Sequence, residues 1–221
     1  MKVVPQMIVM LTNNDLTTPD AVELFEGAKN APANYWGFKD VGIPYDALED
    51  LHKHMKDAGK TTFLEIVKET PEEIMESVRF AARIKADYIL HTKYTPEIQA
   101  VCDEGGVRYM PSLGKHVNHN LTGTIDEIVA EAKELEAKGV YGFKLSAYRY
   151  VDGDPNELLR AVMAAVKCHK CATGSVNDYA RLDALKENGV EMFTMGGALY
   201  NHKFGGSFAE QITNVIEYLN K

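Results

Sequence analysis

Thr124-Ile-Asp-Glu-Ile-Val-Ala-Glu-Ala-Lys-Glu-Leu-Glu-Ala-Lys138, then Gly139, then Tyr141-Gly-Phe-Lys-Leu-Ser146, is the stretch whose reading decides the fold. Ile125, Ile128, Val129, Ala132 and Leu135 recur at helical spacing on one face. Thr124 and Glu127 have the spacing of a capping box, and Gly139 stands where a left-handed residue ends a helix. The strand that follows alternates Tyr141, Phe143 and Leu145 with Gly142, Lys144 and Ser146. The bulky set is expected to meet the helices, and the other set to point the opposite way.

The same unit recurs along the chain. Short apolar runs end near Asn13, Lys39, Glu65, His91, Ser112, Lys144, Thr173 and Gly196, about 26 residues apart, with an amphipathic stretch after each. The spacing predicts strands at 6–12, 35–39, 61–67, 87–92, 108–112, 141–146, 170–173 and 192–196. Thr70-Pro71 and Asp154-Pro155 open helices with proline at the first helical position. One strand, one helix and two short loops per step is a βα unit, which requires a parallel sheet. Eight of them in 1–221 with no long linker predict an α/β fold, a single-domain (β/α)8 TIM barrel. An open doubly wound sheet is the alternative. Its dinucleotide-binding version needs a Gly-rich turn after the first strand, and Thr12-Asn-Asn-Asp-Leu-Thr17 has no glycine.

Composition narrows the function classes. The chain has 221 residues, 25% charged and 45% hydrophobic, with a formal net charge of −8, so disorder and disulfide scaffolds are excluded. An acidic chain is a poor general binder of nucleic acid or of anionic membranes, and no apolar run approaches 18 residues. Three cysteines without framework spacing and no leader-like start point to the cytoplasm. No cofactor is expected, nor is a metal. Gly59-Lys60-Thr61-Thr62 precedes a strand where a P-loop would follow one, and Cys168-His-Lys-Cys171 has no second pair. His116 and His119 are open to two roles, a metal pair or a lid, but read most simply as a solvated loop.

In a barrel of this kind chemistry gathers at the C-terminal ends of the strands. Alternation sends Gly37 and Lys39 inward, then Phe63, Glu65 and Val67, then Ile89 and His91, then Lys144. Lys39, Glu65, His91 and Lys144 are the catalytic candidates. Two ammonium groups and a carboxylate in one mouth are costly unless function needs them, and crowding lowers an amine's pKa toward nucleophilicity. Asn13, Ser112 and Thr173, at other strand ends, are candidate substrate contacts. Thr173-Gly174-Ser175-Val176 and Gly196-Gly197-Ala198-Leu199-Tyr200, with Lys203-Phe204 beyond, place glycines where backbone N–H groups approach an anion. Gly174, Ser175, Gly196 and Gly197 are the expected phosphate cradle.

These last motifs resemble the ending of the ribulose-phosphate-binding barrels, which include isomerases and synthases of histidine and tryptophan synthesis. Leu64-Glu65-Ile-Val-Lys68, Phe143-Lys144-Leu145, Thr173-Gly174-Ser175 and Gly196-Gly197 are also similar to the 2-keto-3-deoxy-6-phosphogluconate aldolases. That similarity implies a proton-handling role for Glu65 and a Schiff-base role for Lys144. The expected function is therefore a class I aldolase-type lyase on a small phosphorylated keto or sugar compound. A sugar-phosphate isomerase or epimerase without covalent intermediate, and a non-catalytic phosphometabolite sensor, are the alternatives. A homo-oligomer is expected, because barrels of this class often form one.

Overall fold

The computed structural model describes residues 3–90 and 92–221. Eight parallel strands form its centre: β1 Gln6–Met10, β2 Tyr35–Lys39, β3 Thr61–Glu65, β4 Tyr88–Leu90, β5 Arg108–Met110, β6 Gly142–Leu145, β7 His169–Ala172 and β8 Met192–Met195. They pair in the spatial order β6-β7-β8-β1-β2-β3-β4-β5. A single parallel bridge, Ser112 to Lys144, joins the two ends, with Lys144 N–H donating to the Pro111 carbonyl at 2.9 Å and Leu113 N–H to the Lys144 carbonyl at 3.0 Å. The sheet is thereby a nearly closed barrel flanked by helices, the (β/α)8 architecture read from the spacing.

Local signals place the helices where the sequence puts them. In α5, Ile125–Ala137, Thr124 and Glu127 form both halves of the capping box. Thr70 and Asp154 cap α3, Pro71–Ile84, and α6, Pro155–Ala165, each with proline in the first turn. Each such cap contributes about 1 kcal/mol. The remaining helices are α1 Ala21–Ala28, α2 Tyr45–Asp57, α4 Pro96–Gly105, α7 Tyr179–Glu187, the one-turn α8 Gly197–Tyr200, and α9 Phe208–Leu219.

Two separate cores result. The outer one fills the space between strands and helices, as where Phe25 and Trp36 meet edge to face at 5.0 Å. The inner one plugs the barrel with Ile8, Met10, Phe63, Tyr88, Leu90, Met110, Cys171 and Met192. At the bottom Phe63 stacks on Tyr88 at 4.3 Å, and the Arg108 guanidinium lies over both Tyr88 and Tyr141. Gly37 faces inward as expected, because a Cβ there would come within 2.6 Å of Met10 Sδ.

Several expectations need correction. Strand parity at β4 is reversed: Ile89 belongs to the outer core, and Tyr88 and Leu90 point into the barrel. Every residue of this strand is bulky and apolar, so alternation carried no signal. Tyr141 packs on the inner cluster instead of the helices, since just before the strand its ring meets Tyr88 at 5.6 Å and lies under the Arg108 guanidinium. The first strand stops at Met10, and Thr12–Asn13 pairs with Leu16–Thr17 as a separate antiparallel ribbon. The loop after β5 is likewise an ordered ribbon, Lys115–Val117 with Asn120–Thr122. Among the described residues no helix is long and apolar enough to cross a membrane.

Candidate active site

Above the apolar plug the barrel interior turns abruptly charged. Lys39 ends β2, Glu65 ends β3 and Lys144 lies on β6, all three buried and facing inward. Lys144 Nζ donates to Glu65 Oε1 at 3.2 Å, and Lys39 Nζ lies 3.6 Å from Glu65 Oε2. One carboxylate thus bridges two ammonium groups. Lys39 also donates to Asp15 Oδ1 at 2.6 Å, and the Arg149 guanidinium meets the same carboxylate at 3.3 Å. Charges alternate across the mouth: Arg149, Asp15, Lys39, Glu65, Lys144.

The electrostatics separate the two lysines. Burial pulls the Lys39 pKa down, but Glu65 and Asp15 outweigh it, and the ammonium is held above the usual lysine range. Burial acts on Lys144 more strongly than Glu65 can oppose, and the nearby charges of Lys39 and Arg149 push the same way, so its pKa is lowered. Lys144 is therefore the amine nearer to neutrality. Burial raises Asp15, yet Lys39 and Arg149 prevail and bring it to about 2.

Asp15 and Arg149 were not found by sequence reasoning. Asp15 sits at the tip of the ribbon after β1, where Asn14 and Asp15 have φ of 49° and 62°. Two left-handed residues make the turn that closes a two-residue hairpin, and Asn and Asp tolerate that region as glycine does. Thr17 clips the ribbon to β2 by hydrogen bonds with both the N–H and the carbonyl of Lys39, each 2.8 Å. The asparagine-aspartate pair was the available signal. Arg149, in the single 3-10 turn after β6, offered none.

A cavity of about 910 Å³ opens over this array. Lys39, Glu65 and Lys144 line it, as do Asn13, Thr173, Gly174, Ser175, Gly196 and Gly197. Ser112 does not: it is buried at the barrel seam beside Lys144. His91 lies outside the described residues. Among the described residues, none accepts a hydrogen bond from the backbone N–H of Gly174 or Ser175, and Lys203 and Asn201 also line the cavity. Packing alone requires two of the three glycines. Gly174 has φ +73° with Arg149 pressed against it, and a Cβ on Gly196 would come within 2.8 Å of the Thr12 carbonyl. A Cβ on Gly197 would meet nothing nearer than 3.9 Å, so the fold does not need a glycine there. Among the described residues no group of three or more His, Cys, Asp or Glu is placed to hold a metal ion.

No family model and no curated protein matches the sequence. Solved structures do. Orotidine 5'-phosphate decarboxylase from Pyrococcus horikoshii OT3 is similar over 98% of this chain and 100% of its own, with TM-score 0.72 and 13% identity. N-acetylmannosamine-6-phosphate 2-epimerase from Clostridium perfringens is similar over 96% and 92%, with TM-score 0.65 and 15% identity. Native KDPGal aldolase is similar over 97% and 94%, with TM-score 0.69 and 19% identity. At such identities the likeness establishes the fold, and the chain's structural neighbours are ribulose-phosphate-binding barrels, the group its closing motifs resemble.

Proposed function

We propose that this protein is an aldolase-type lyase acting on a small phosphorylated keto or sugar compound, with Lys144 as the Schiff-base nucleophile. The observation that carries the reading is the state of Lys144: a buried amine of lowered pKa, on the cavity wall, 3.2 Å from a carboxylate. Three of the structural neighbours, a decarboxylase, an epimerase and an aldolase, are consistent with chemistry next to a carbonyl or phosphate, and they support the choice of class without selecting the reaction.

The neutral amine attacks the substrate carbonyl carbon and forms the C–N bond. Glu65 carries one proton from the nitrogen to the oxygen, which gives the carbinolamine. A second proton, drawn from solvent through Glu65, lets that oxygen leave as water, and an iminium results. In a β-hydroxy substrate the bond between the α and β carbons then breaks. Its pair forms the enamine double bond as the iminium pair moves onto nitrogen, the β-hydroxyl proton passes to Glu65, and the other fragment leaves as a carbonyl compound. Protonation and hydrolysis of the enamine regenerate the amine. Lys39, held by Asp15, stays protonated beside Glu65. The unpaired amides of Gly174 and Ser175, with Lys203, hold the phosphate.

Intact-mass measurement after borohydride, with a panel of phosphorylated keto compounds and pyruvate, tests this directly. A stable adduct that disappears in Lys144→Ala is expected. Complete absence of adducts, while phosphorylated ligands still raise the melting temperature, overturns the lyase. It then favours the isomerase or epimerase reading, in which Glu65, central in the cavity, exchanges a proton beside a carbonyl without a covalent bond.

A further inference from the structure

The ribbon after β5 brings another group into the cavity. His116 pairs with Leu121 across the two strands of that ribbon. Directly opposed residues share a face. Leu121 is fully buried, whereas Lys115 and Val117, on either side of His116, are exposed. The imidazole therefore points with Leu121 toward the barrel, and it lines the same cavity as Lys144 and Glu65.

The ribbon is braced. Gly114 N–H donates to Glu131 Oε2 at 2.6 Å, and Lys93 Nζ donates to the Gly114 carbonyl. On the other side Val151 N–H donates to the Leu121 carbonyl at 3.1 Å, and Tyr150 bridges to Leu121 in parallel register. A side chain on an element tied at both edges is held in place over the mouth, which suits catalysis better than a free loop tip does.

We propose that His116 is a catalytic residue of this site, the group that takes and returns the proton at the carbon next to the substrate carbonyl. The assignment deepens the reading of the cavity as a site for carbonyl chemistry on a phosphorylated compound. With the carbonyl held as an iminium on Lys144, the C–H bond breaks and its electron pair forms the enamine double bond. The iminium nitrogen takes up the displaced pair, and the proton moves to the imidazole nitrogen. Return of that proton reverses the step. Glu65, paired with the Lys39 ammonium, is left for the carbinolamine steps.

The surroundings agree with this role. Burial first, then the charges of Lys144, Lys93 and Arg149, hold the imidazole neutral with a pKa of about 4, against the opposing pull of Glu65. A neutral imidazole is ready to accept a proton. A phosphate dianion in the cavity offsets those cations and raises the pKa toward the range where a base is effective.

Exchange of substrate hydrogens with deuterium oxide, followed by NMR with pyruvate and dihydroxyacetone phosphate as probes, tests the proposal beside borohydride trapping of the same probes. The proteins compared are the unaltered chain, His116→Gln, and Val117→Ser as an outward-facing control on the same ribbon. Trapping is expected to be equal in all three, and exchange to fall by about 100-fold or more only in His116→Gln. Exchange at the unaltered rate in His116→Gln overturns the assignment. So does joint loss of trapping and exchange in that variant, which marks a structural role. Exchange that depends on His116 with no adduct in any protein upholds the assignment and rejects the lysine imine, so the two readings fail separately.

Discussion

Glu65 is the residue on which the charged layer depends. It is the only carboxylate within ion-pair distance of Lys144 among the described pairs, and it also faces Lys39. Removing one partner of a buried ion pair leaves an uncompensated charge, at a cost of about 3–5 kcal/mol. Glu65→Gln is accordingly expected to destabilise the fold by about that amount. Lys144→Met is expected to cost under about 1 kcal/mol or to stabilise, because burial already disfavours that ammonium and Glu65 keeps Lys39. Denaturant melts of the two variants check the asymmetry. A larger loss in Lys144→Met than in Glu65→Gln makes the array a structural device. Lys39, Glu65 and Lys144 were legible in the sequence because strand alternation assigns a side to each residue. Asp15 was not, because its partner Lys39 is 24 positions away and only the hairpin brings them together.

At the scale of elements, the barrel mouth is built from two ribbons of one design. Asn14-Asp15 and Asn118-His119 each supply two left-handed residues at a hairpin tip. Neither tip carries glycine, which is why loop composition did not reveal them. The glycines in strands and strand-end turns divide by what they are for, and this gives a test. Gly142→Ala would place a Cβ within 2.3 Å of the His169 carbonyl in the β6–β7 ladder, so a loss of about 1–3 kcal/mol is expected. Gly197→Ala makes only an ordinary contact, 3.9 Å from Asn13 Oδ1, so the melting temperature is expected to hold or rise slightly, since alanine favours the helix. Binding of inorganic phosphate or a phosphorylated ligand, read by calorimetry, is expected to weaken about tenfold in Gly197→Ala. Unchanged affinity there removes Gly197 from the cradle.

Across the whole molecule, an apolar floor supports a charged mouth. Acid stability follows from a buried histidine outside the mouth. His52 in α2 packs against Phe38, its Nε2 without a partner among the described residues. Burial, with Lys56 adding, lowers its pKa from 6.5 to about 4. Below pH 6.5 the unfolded chain takes up a proton that the folded chain refuses, so stability falls as pH drops from about 6.5 to 4 and this contribution then levels off. The full effect is about 3 kcal/mol. His116 carries the same depressed pKa, so His52→Leu is expected to cut the slope of stability against pH over that window by about half, and an unchanged slope counts against the assignment.

The sequence by itself determined the eight-unit barrel, the helix caps, the inward lysines and glutamate and the glycine turns. Those features rest on local periodicity and turn chemistry, which act within a few residues and leave a pattern in the order of the chain. Tertiary structure alone decided the parity of β4, the fate of Ser112, the recruitment of Asp15 and Arg149, and the inward aim of His116. These depend on which segments meet after the sheet curves round and the ribbons fold over its rim. Ion pairs between residues as far apart as Asp15 and Arg149 leave no period to read, since the distance that matters is through space.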